Sequence, residues 1–533
     1  MNKLKPLYLS LISTVLLIIA WPPLPTAFLL FIGWIPLFVI REQLDNQPKK
    51  HLKFWAWVYL TLFLFNTGAT WWVWNASPGG TVAMLISNSL LMSLPFLFYS
   101  HLKVRMPKFA FTGFVITYLA FEYWHFNWSA AWPWLTLGKG LASFPSWIQW
   151  YEFTGELGGT ACILITNVWL ANLIIKNKLS RIWQPFGFVA SMIFVSYFIA
   201  YLHLSDDKVK KYQTVSTVIS QPNIDPYEEK FGDGDDYLYP EIQLDYAIEP
   251  TENLVDSSTD ILLMPETAIV GNNDESDLNN NFLFQPVRNM TRNSKLCIIA
   301  GAETFGVYTS KERPTSTARY DSFDHRWFDY FNTAVNIKNG DVVEKYHKSK
   351  LVPGVEKMPF PILEKLSINL GGTSGSLGIS DRVVNFTLNN GAKVAPLICY
   401  ESVFGDYACE YVKDGAQLLA VVTNDGWWGE TPGYKQHLLY GAVRCIETRR
   451  DMIRSANTGV SAYINKYGSI VKQTKYKERT AFKCQATLSK HQTFYVSYGN
   501  IIGRLSYLGF IVLFVIYFYK KLSKKAAKIK PVE

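Results

Sequence analysis

The stretch Val394-Ala-Pro-Leu-Ile-Cys-Tyr-Glu401 is a short apolar run that ends in a cysteine, a tyrosine and a glutamate. Apolar, β-branched runs of this length indicate buried strands when longer polar or helical stretches separate them. The other runs of the same kind are Thr214–Ser220, Ile261–Met264, Leu296–Ala300, Thr333–Ile337 and Leu418–Thr423. Together they predict an α/β domain with a covered sheet.

Cys399 directly follows the apolar run, at a predicted strand-to-helix turn. A cysteine in that position can be held exposed, with its thiolate stabilised by amides at the helix N-terminus. The alternative is a buried core cysteine, which is a common role of an unpaired cysteine. The 6 cysteines contain no CxxC pair and no zinc-like spacing, so neither a disulfide framework nor a metal site is predicted.

Two other predicted strand ends carry charged side chains. Glu266 follows Ile261-Leu-Leu-Met-Pro265, where a partly desolvated carboxylate can accept the proton of a thiol or support the cap of a following turn. Lys348 lies in a basic stretch that turns at Pro353 and Gly354. It can stabilise an oxyanion, or it can be a solvated surface lysine. Taken singly, each residue leaves the choice open.

Long apolar runs occupy the first part of the chain and return near its end. Of the 533 residues, 49% are hydrophobic and 15% aromatic, and the formal net charge is +9. Since about 20 apolar residues cross a bilayer, eight spans are predicted, at 7–24, 26–41, 54–71, 82–100, 109–127, 157–175, 183–203 and 501–519. The first run lacks a small-residue cleavage site, so it is interpreted as a retained span and not as a signal peptide.

Lysine and arginine concentrate in alternate loops, with Lys139 as the one exception on the other side. The positive-inside rule then puts the N-terminus and the basic tail in the cytoplasm and the soluble segment in the periplasm. The positive charge lies beside apolar runs, so no nucleic-acid partner is expected. The predicted domains are a seven-span transmembrane domain at 1–205, a soluble domain at 206–498, and a last span with a basic cytoplasmic tail at 499–533.

Several motifs, in chain order, resemble one known family. Pro265-Glu-Thr-Ala268, the Tyr-x-Lys-x-x-Leu-Val-Pro-x-x-Glu pattern at 346–356 and Ile398-Cys-Tyr-Glu401 resemble the Glu-Lys-Cys triad of the nitrilase superfamily. Further motifs resemble its apolipoprotein N-acyltransferase branch, namely Asn424-Asp-Gly-Trp-Trp-Gly429, His437 and Arg454-Ser-Ala-Asn-Thr-Gly459. The resemblance covers almost the whole chain. It implies a polytopic α-helical membrane domain of about eight spans and an α/β nitrilase-like domain, a four-layer αββα sandwich.

The resemblance also assigns roles to matching positions. Cys399 resembles the nucleophile, Glu266 the general base and Lys348 the electrostatic stabiliser. The residues that resemble supporting members of the site are Glu356, Tyr400 and Glu401. The residues predicted to contact substrate are Phe231, Trp427 and Trp428.

The two tryptophans and the apolar loop 351–360 can form a lipid-facing mouth, or the tryptophans can belong to the core. The chain departs from the family pattern at Met264, where tryptophan is frequent, at Lys350, where histidine is usual, and at Gly354-Val355, where Phe-Gly is usual. These departures concern the shape of the acyl pocket.

The resemblance implies transfer of a fatty acyl chain from phospholipid to the N-terminal α-amine of diacylglyceryl-cysteine apolipoproteins, the final step of lipoprotein maturation. It implies a ping-pong reaction through a cysteine thioester, in the bacterial inner membrane, without a metal or cofactor. One alternative is a membrane-anchored amidase or nitrile hydrolase with the same triad and water as acceptor. The other is a transporter with a non-catalytic soluble domain, which predicts ionisable residues inside the spans, with Glu122 as the main candidate.

Overall fold

The computed structural model describes residues 4–358 and 376–529. These residues form two compact units. The first consists of Met1–Trp71, Pro78–Ala200 and Asn500–Glu533, and the second of Trp72–Ser77 and Tyr201–Gly499. The second unit therefore includes a six-residue segment that lies in the chain between two helices of the first.

The α-helices are, in chain order, α1 Pro6–Ala20, α2 Ile35–Gln43, α3 Lys50–Thr70, α4 Val73–Ala76, α5 Pro78–Arg105, α6 Ala110–His125, α7 Tyr151–Thr154, α8 Glu156–Ile175, α9 Trp183–Val209, α10 Pro240–Ile248, α11 Gln285–Thr291, α12 Gly405–Lys413, α13 Pro432–Thr448, α14 Phe494–Tyr498 and α15 Ile501–Ile529. Among the described residues, four helical segments are long and apolar enough to cross a membrane, at Pro78–Arg105, Glu156–Ile175, Leu179–Val209 and Ile501–Ser523. The predicted count of eight spans is therefore not confirmed.

The second predicted span, at 26–41, is not a single helix. It consists of a 3-10 helix at Ala27–Phe31 followed by the nine-residue helix α2. The backbone groups at this break are satisfied by one side chain of α8, because Asn167 Oδ1 accepts from Trp34 N at 2.9 Å and Asn167 Nδ2 donates to Leu30 O at 2.8 Å. A broken helix is tolerated in an apolar unit when another side chain completes its hydrogen bonds.

Two ionisable residues singled out from the sequence are buried within the first unit. Lys139 forms an ion pair with Glu156 at 3.0 Å, and both side chains are almost fully buried. The charge of Lys139 is therefore neutralised by Glu156, which explains why a lysine occurs in a loop predicted to lie on the side poor in basic residues. Glu122 accepts hydrogen bonds from Thr160 Oγ1 at 2.6 Å and from Leu137 N at 2.9 Å. These contacts connect Glu122 to α8 and to the segment around Leu137 within the first unit.

The second unit contains two β-sheets. Its strands are β1 Thr214–Gln221, β2 Ile261–Leu263, β3 Ile269–Asp274, β4 Cys297–Tyr308, β5 Arg319–Asp321, β6 Arg326–Lys338, β7 Asp341–His347, β8 Phe386–Thr387, β9 Lys393–Ile398, β10 Leu418–Thr423, β11 Met452–Ala456, β12 Ala462–Ile464, β13 Ile470–Gln473 and β14 Thr480–Thr487. An eight-stranded sheet has the order β14-β1-β2-β4-β6-β5, with β3 paired to β4 and β7 paired to β6. A six-stranded sheet has the order β13-β12-β11-β10-β9-β8. The strand positions confirm the predicted α/β class of this part of the chain.

The two sheets contact each other through β1 and β11 and through β6 and β9. Helices α10 and α11 contact strands of the eight-stranded sheet, and α12 and α13 contact strands of the six-stranded sheet. The central strands β9 and β10 are parallel to each other and almost completely buried, as expected for apolar runs covered on both faces.

The ends of four strands carry the polar residues of interest. Glu266 comes three residues after β2, Lys348 directly follows β7, Cys399 directly follows β9 and Asn424 directly follows β10. Ligand sites of α/β folds lie at the carboxyl ends of strands, where loops of different sequence can converge. In this unit the ends of strands from both sheets meet at one cavity.

Candidate active site

A cavity of about 110 Å³ lies at these strand ends. The predicted site residues among those that line it are Phe231, Glu266, Lys348, Glu356, Cys399, Trp427 and Trp428. Tyr400 and Glu401 are not among the described lining residues, and both are buried next to Cys399 in the chain. The structure thus brings most of the residues selected from the sequence to one cavity.

Lys348 joins two carboxylates in a group called here the carboxylate–lysine cluster (Glu266, Lys348 and Glu356). Its Nζ lies 3.0 Å from Glu266 Oε1 and 2.7 Å from Glu356 Oε1, and all three side chains are largely buried. Burial opposes the charge on Lys348, but the two carboxylates outweigh it and hold the pKa of Lys348 well above its usual value. The lysine is therefore held as a cation between two carboxylates.

Glu266 is oriented by three further features of the chain. Its Oε1 accepts from Asn332 Nδ2 at 2.8 Å, and its Oε2 accepts from the backbone N–H of Asn424 at 3.0 Å. Gly301 lies against its backbone, because a Cβ built on Gly301 would stand 2.6 Å from Glu266 Cα and 2.5 Å from Thr267 N. Only glycine permits so close an approach. The carboxylate is consequently fixed in place before any substrate binds.

Cys399 has a left-handed backbone conformation, with a φ of 49°, at the start of a 3-10 turn that ends at Val403. A non-glycine residue in this conformation costs about 1–3 kcal/mol and persists only where surrounding contacts enforce it. Cys399 is 7% exposed, so of the two alternatives drawn from the sequence, an exposed thiolate and a buried cysteine, the structure shows a buried cysteine. Burial, and then the nearby Glu266, raise the pKa of the Cys399 thiol far above its usual value. The thiol is therefore protonated at rest and needs a base to become a nucleophile.

Glu401 fastens the loop after β7 to the loop after β9. Its Oε1 accepts from Tyr346 Oη at 2.5 Å and from Ser349 N at 2.7 Å, while its Oε2 accepts from Ile398 N at 2.8 Å. Burial raises the pKa of Glu401 to about 7. Tyr400 packs its ring against Phe404 at 5.2 Å. Both residues support the backbone around Cys399.

Aromatic side chains form another part of the cavity wall. The rings of Phe231 and Trp427 are nearly parallel, with centroids 5.7 Å apart and an interplanar angle of 6°. Trp428 contacts Trp72 edge to face at 4.8 Å. Within the apolar loop at 351–360, Val352 and Val355 line the cavity. Residues 359 and 360 of this loop lie outside the described part of the chain.

Two family models match this chain. The model described as "Apolipoprotein N-acyltransferase N-terminal domain" matches residues 13–169, and the model described as "Carbon-nitrogen hydrolase" matches residues 236–492. The apolipoprotein N-acyltransferase of Chlorobaculum tepidum is 27% identical over 93% of this chain and 94% of its own length. Over almost its whole length the chain is therefore similar to an apolipoprotein N-acyltransferase. It is accordingly an enzyme of the acyltransferase class, with a nitrilase-like catalytic domain.

Other relatives extend the comparison. The apolipoprotein N-acyltransferase of Geobacter metallireducens is 22% identical over 96% of this chain and 95% of its own length. Among solved structures, an amidase of the nitrilase superfamily from Nesterenkonia is similar with a TM-score of 0.35 and 14% identity, covering 54% of this chain and 95% of that one.

Some residues of the candidate site were not identified from the sequence. Asn332, on β6, donates to both carboxylates, at 2.8 Å to Glu266 and 3.3 Å to Glu356. Asn332 immediately precedes the predicted strand Thr333–Ile337. Its position as a polar residue beside a buried apolar run is the feature by which the sequence could have indicated it.

The segment Trp72–Ser77 is the second group that sequence reasoning missed. Ala76 lines the cavity, and Asn75 Nδ2 donates to Trp428 O at 2.9 Å. Tyr227 Oη lies 2.9 Å from both Asn75 O and Trp427 O. The segment was assigned to a loop after the third predicted span. Its dense aromatic sequence, Trp71-Trp-Val-Trp74, was the available signal.

Proposed function

We propose that this enzyme transfers a fatty acyl chain from a phospholipid to the N-terminal α-amine of diacylglyceryl-cysteine lipoproteins, by way of a thioester on Cys399. The coarser activity, N-acylation of lipoproteins, is supported by the relatives that match almost the whole chain. The observation that carries the mechanism is the meeting of a protonated buried thiol, an oriented carboxylate and a permanent cation at one cavity.

In the first half-reaction, Cys399 Sγ attacks the ester carbonyl carbon of the phospholipid while Glu266 accepts the thiol proton. Lys348 stabilises the negative charge that develops on the carbonyl oxygen. The new C–S bond remains when the ester C–O bond breaks, and the leaving alkoxide of the lysophospholipid takes the proton from Glu266. The thiol's raised pKa supports this role for a base, because the thiol does not ionise by itself near neutral pH.

In the second half-reaction, the α-amine nitrogen of the lipoprotein attacks the thioester carbonyl. Glu266 takes a proton from the amine and returns one to Cys399 Sγ as the C–S bond breaks, which leaves an amide and a free thiol. Because the first product leaves before the acceptor binds, one small site can serve two lipid substrates in turn. Phe231, Trp427 and Trp428 supply an apolar wall suited to the acyl chain.

The orientation in the membrane is part of the same proposal. We infer a transmembrane part at 1–205, a periplasmic catalytic domain at 206–498 and a last span with a cytoplasmic tail at 499–533, in a bacterial inner membrane. Fusions of a fluorescent protein and of alkaline phosphatase to the C-terminus test it. A fluorescent tail with inactive phosphatase is expected, and the reverse result would overturn the orientation.

The mechanism is tested by intact mass of the purified enzyme after incubation with phospholipid. The native enzyme is expected to gain one acyl mass, and Cys399→Ala to gain none. Cys445→Ala is the matched control, because Cys445 is fully buried on α13 and should leave the adduct intact.

Addition of a diacylglyceryl peptide should then remove the acyl mass and yield an N-acylated peptide, whereas the same peptide with a blocked amine should not. An adduct discharged only by water would identify a hydrolase instead. A native enzyme that folds but forms no adduct would overturn the covalent mechanism.

A further inference from the structure

A second group of buried polar side chains contacts the backbone of Cys399 and is called here the histidine network (Ser402, Asp425, His437 and Arg454). His437 Nδ1 lies 2.9 Å from Asp425 Oδ1, and its Nε2 lies 2.9 Å from Ser402 Oγ. Arg454 forms an ion pair with the other oxygen of Asp425. All four residues are between 0% and 1% exposed.

The network reaches the nucleophile through its backbone. The carbonyl oxygen of Cys399 accepts from Ser402 Oγ at 2.8 Å and lies 3.1 Å from His437 Nε2. This carbonyl belongs to the residue with the strained φ of 49°. Two polar groups therefore fix the peptide plane that follows the Cys399 side chain, at the position where the backbone would otherwise relax.

The distances from Ser402 to His437 to Asp425 resemble those of a serine–histidine–aspartate triad, in which a serine is the nucleophile. Here none of the four residues is among the described residues that line the cavity, and contact with the proposed nucleophile is made through the peptide carbonyl of Cys399. The network therefore acts on the nucleophile and not on the substrate.

The network also extends to the aromatic wall. Asp425 begins the 3-10 helix Asp425–Trp428, and Trp428 contacts the His437 ring edge to face at 5.6 Å. Displacement of His437 would thus disturb both the nucleophile and a residue of the cavity. Because His437 contacts both the Cys399 carbonyl and Trp428, it can hold the thiol in a fixed position relative to the aromatic wall of the cavity.

We propose that His437 is a positioning residue that holds the Cys399 backbone in its left-handed conformation, with Ser402 as its partner and Asp425 and Arg454 as its anchor. This inference rests on Cys399 being the nucleophile, as proposed above. It gives a role to His437 and Arg454, which the sequence motifs singled out without a role.

Two substitutions of His437 distinguish the contacts made by its two ring nitrogens, Nδ1 and Nε2. The amide of Gln reaches the position of Nε2, so His437→Gln keeps a polar group at the Cys399 carbonyl and loses the contact with Asp425. The amide of Asn reaches only the position of Nδ1, so His437→Asn keeps the contact with Asp425 and loses the one with Cys399. Asp451→Asn is the control, because Asp451 is equally buried and accepts from Tyr463 and Lys466 N in the same unit.

The first measurement is the rate at which iodoacetamide alkylates Cys399, followed by intact mass and normalised to the folded fraction from thermal unfolding. Since displacement of a reacting group by about 1 Å costs about 100-fold, His437→Asn should slow the reaction about 100-fold, and His437→Gln less than about tenfold. Asp451→Asn should lower thermal stability without changing the normalised rate.

The second measurement is acyl transfer, where kcat should fall for His437→Asn while KM for phospholipid stays unchanged. Equal normalised alkylation rates in His437→Asn and His437→Gln would overturn the inference. So would a fall in the alkylation rate of His437→Asn that its lower folded fraction fully accounts for. Alkylation does not depend on phospholipid, so failure of the proposed acyl transfer remains distinguishable. If His437→Asn does not fold, Ser402→Ala replaces it and should slow alkylation about tenfold; an unchanged rate would count against the proposal.

Discussion

The carboxylate–lysine cluster and the histidine network are two buried groups of polar and charged side chains near one cysteine. In each, a cation neutralises a carboxylate: Lys348 lies 3.0 Å from Glu266, and Arg454 pairs with Asp425. In each group, the ion pair has a larger effect on the pKa than burial has. Arg454 and His437 hold the pKa of Asp425 below its usual value, and the carboxylates hold the pKa of Lys348 above its usual value. The cluster lines the cavity, whereas the network is not among the described residues that do so.

The comparison supports the proposal that access to the cavity, and not residue type, separates the catalytic group from the positioning group. A histidine with an aspartate near a cysteine is a familiar catalytic arrangement, and by composition alone it would be preferred over a lysine between two glutamates. Among the described residues, only the latter group lines the cavity. Predictions that exchange one member of each group can test this difference.

The largest expected effect concerns the two carboxylates. Glu266→Gln removes the only proposed base at the thiol, so the rate of Cys399 acylation should fall by about 10²–10⁴-fold. Asp425→Asn should reduce it by only about tenfold, because it acts through the backbone. Single-turnover acylation followed by mass measures both. A larger loss in Asp425→Asn than in Glu266→Gln would reverse the assignment of roles.

The cations provide the second test. Lys348→Met removes the cation between two buried carboxylates, and Arg454→Met removes the cation beside Asp425. Loss of one partner of a buried ion pair typically costs about 3–5 kcal/mol. Both variants should therefore unfold at lower temperature than the native enzyme. The folded fraction of Lys348→Met should lose acylation almost entirely, while that of Arg454→Met keeps part of it. Equal residual activities would mean that exposure to the cavity does not matter.

The third prediction concerns the support of Glu266. Gly301→Ala places a Cβ 2.7 Å from Pro265 O and 2.6 Å from Glu266 Cα, so the backbone that carries the base must move. A displacement of this kind should reduce the acylation rate about 100-fold. Gly234→Ala is the control, because a Cβ there meets nothing within 4 Å. An active Gly301→Ala enzyme would show that Glu266 need not be held so closely.

The smallest expected effect is a dependence of stability on pH. Burial lowers the pKa of Lys230 to about 8 from its usual 10.5, and its Nζ donates to Thr267 O at 2.7 Å. Between these values the unfolded chain binds more protons than the folded one, so stability should rise with pH above about 8, by about 1 kcal/mol per pH unit.

Lys230→Met removes this contribution. The difference in unfolding temperature between the native enzyme and this variant should be constant below about pH 8 and should shift in favour of the native enzyme as pH rises toward 10.5. Other titrating groups cancel in the comparison. A difference that does not change with pH would show that Lys230 has an ordinary pKa.

Much of the catalytic unit could be predicted from the sequence, for physical reasons. The runs at 394–398 and 418–423 form β9 and β10 because short apolar segments between polar stretches are stable only when covered on both sides. The three motif residues Glu266, Lys348 and Cys399 were identifiable because each directly or nearly follows a strand. Their convergence at one cavity agrees with the expectation drawn from the family resemblance.

Other features depend on contacts between distant parts of the chain. Asn332 becomes part of the site only because β6 brings it to two carboxylates that lie 66 and 24 positions away. The break in the run 26–41 is stabilised by Asn167, 133 residues later. Lys139 appears to be a loop cation until its ion pair with Glu156 is known. No local pattern encodes such partners.

Glu401 has a consequence for the spacing of the reacting groups. Its carboxylate accepts from Ser349 N, next to Lys348, and from Ile398 N, next to Cys399. One side chain therefore ties the backbone beside the cation to the backbone beside the thiol. The distance between these two groups is thus set in part by a residue that is not among the described residues lining the cavity.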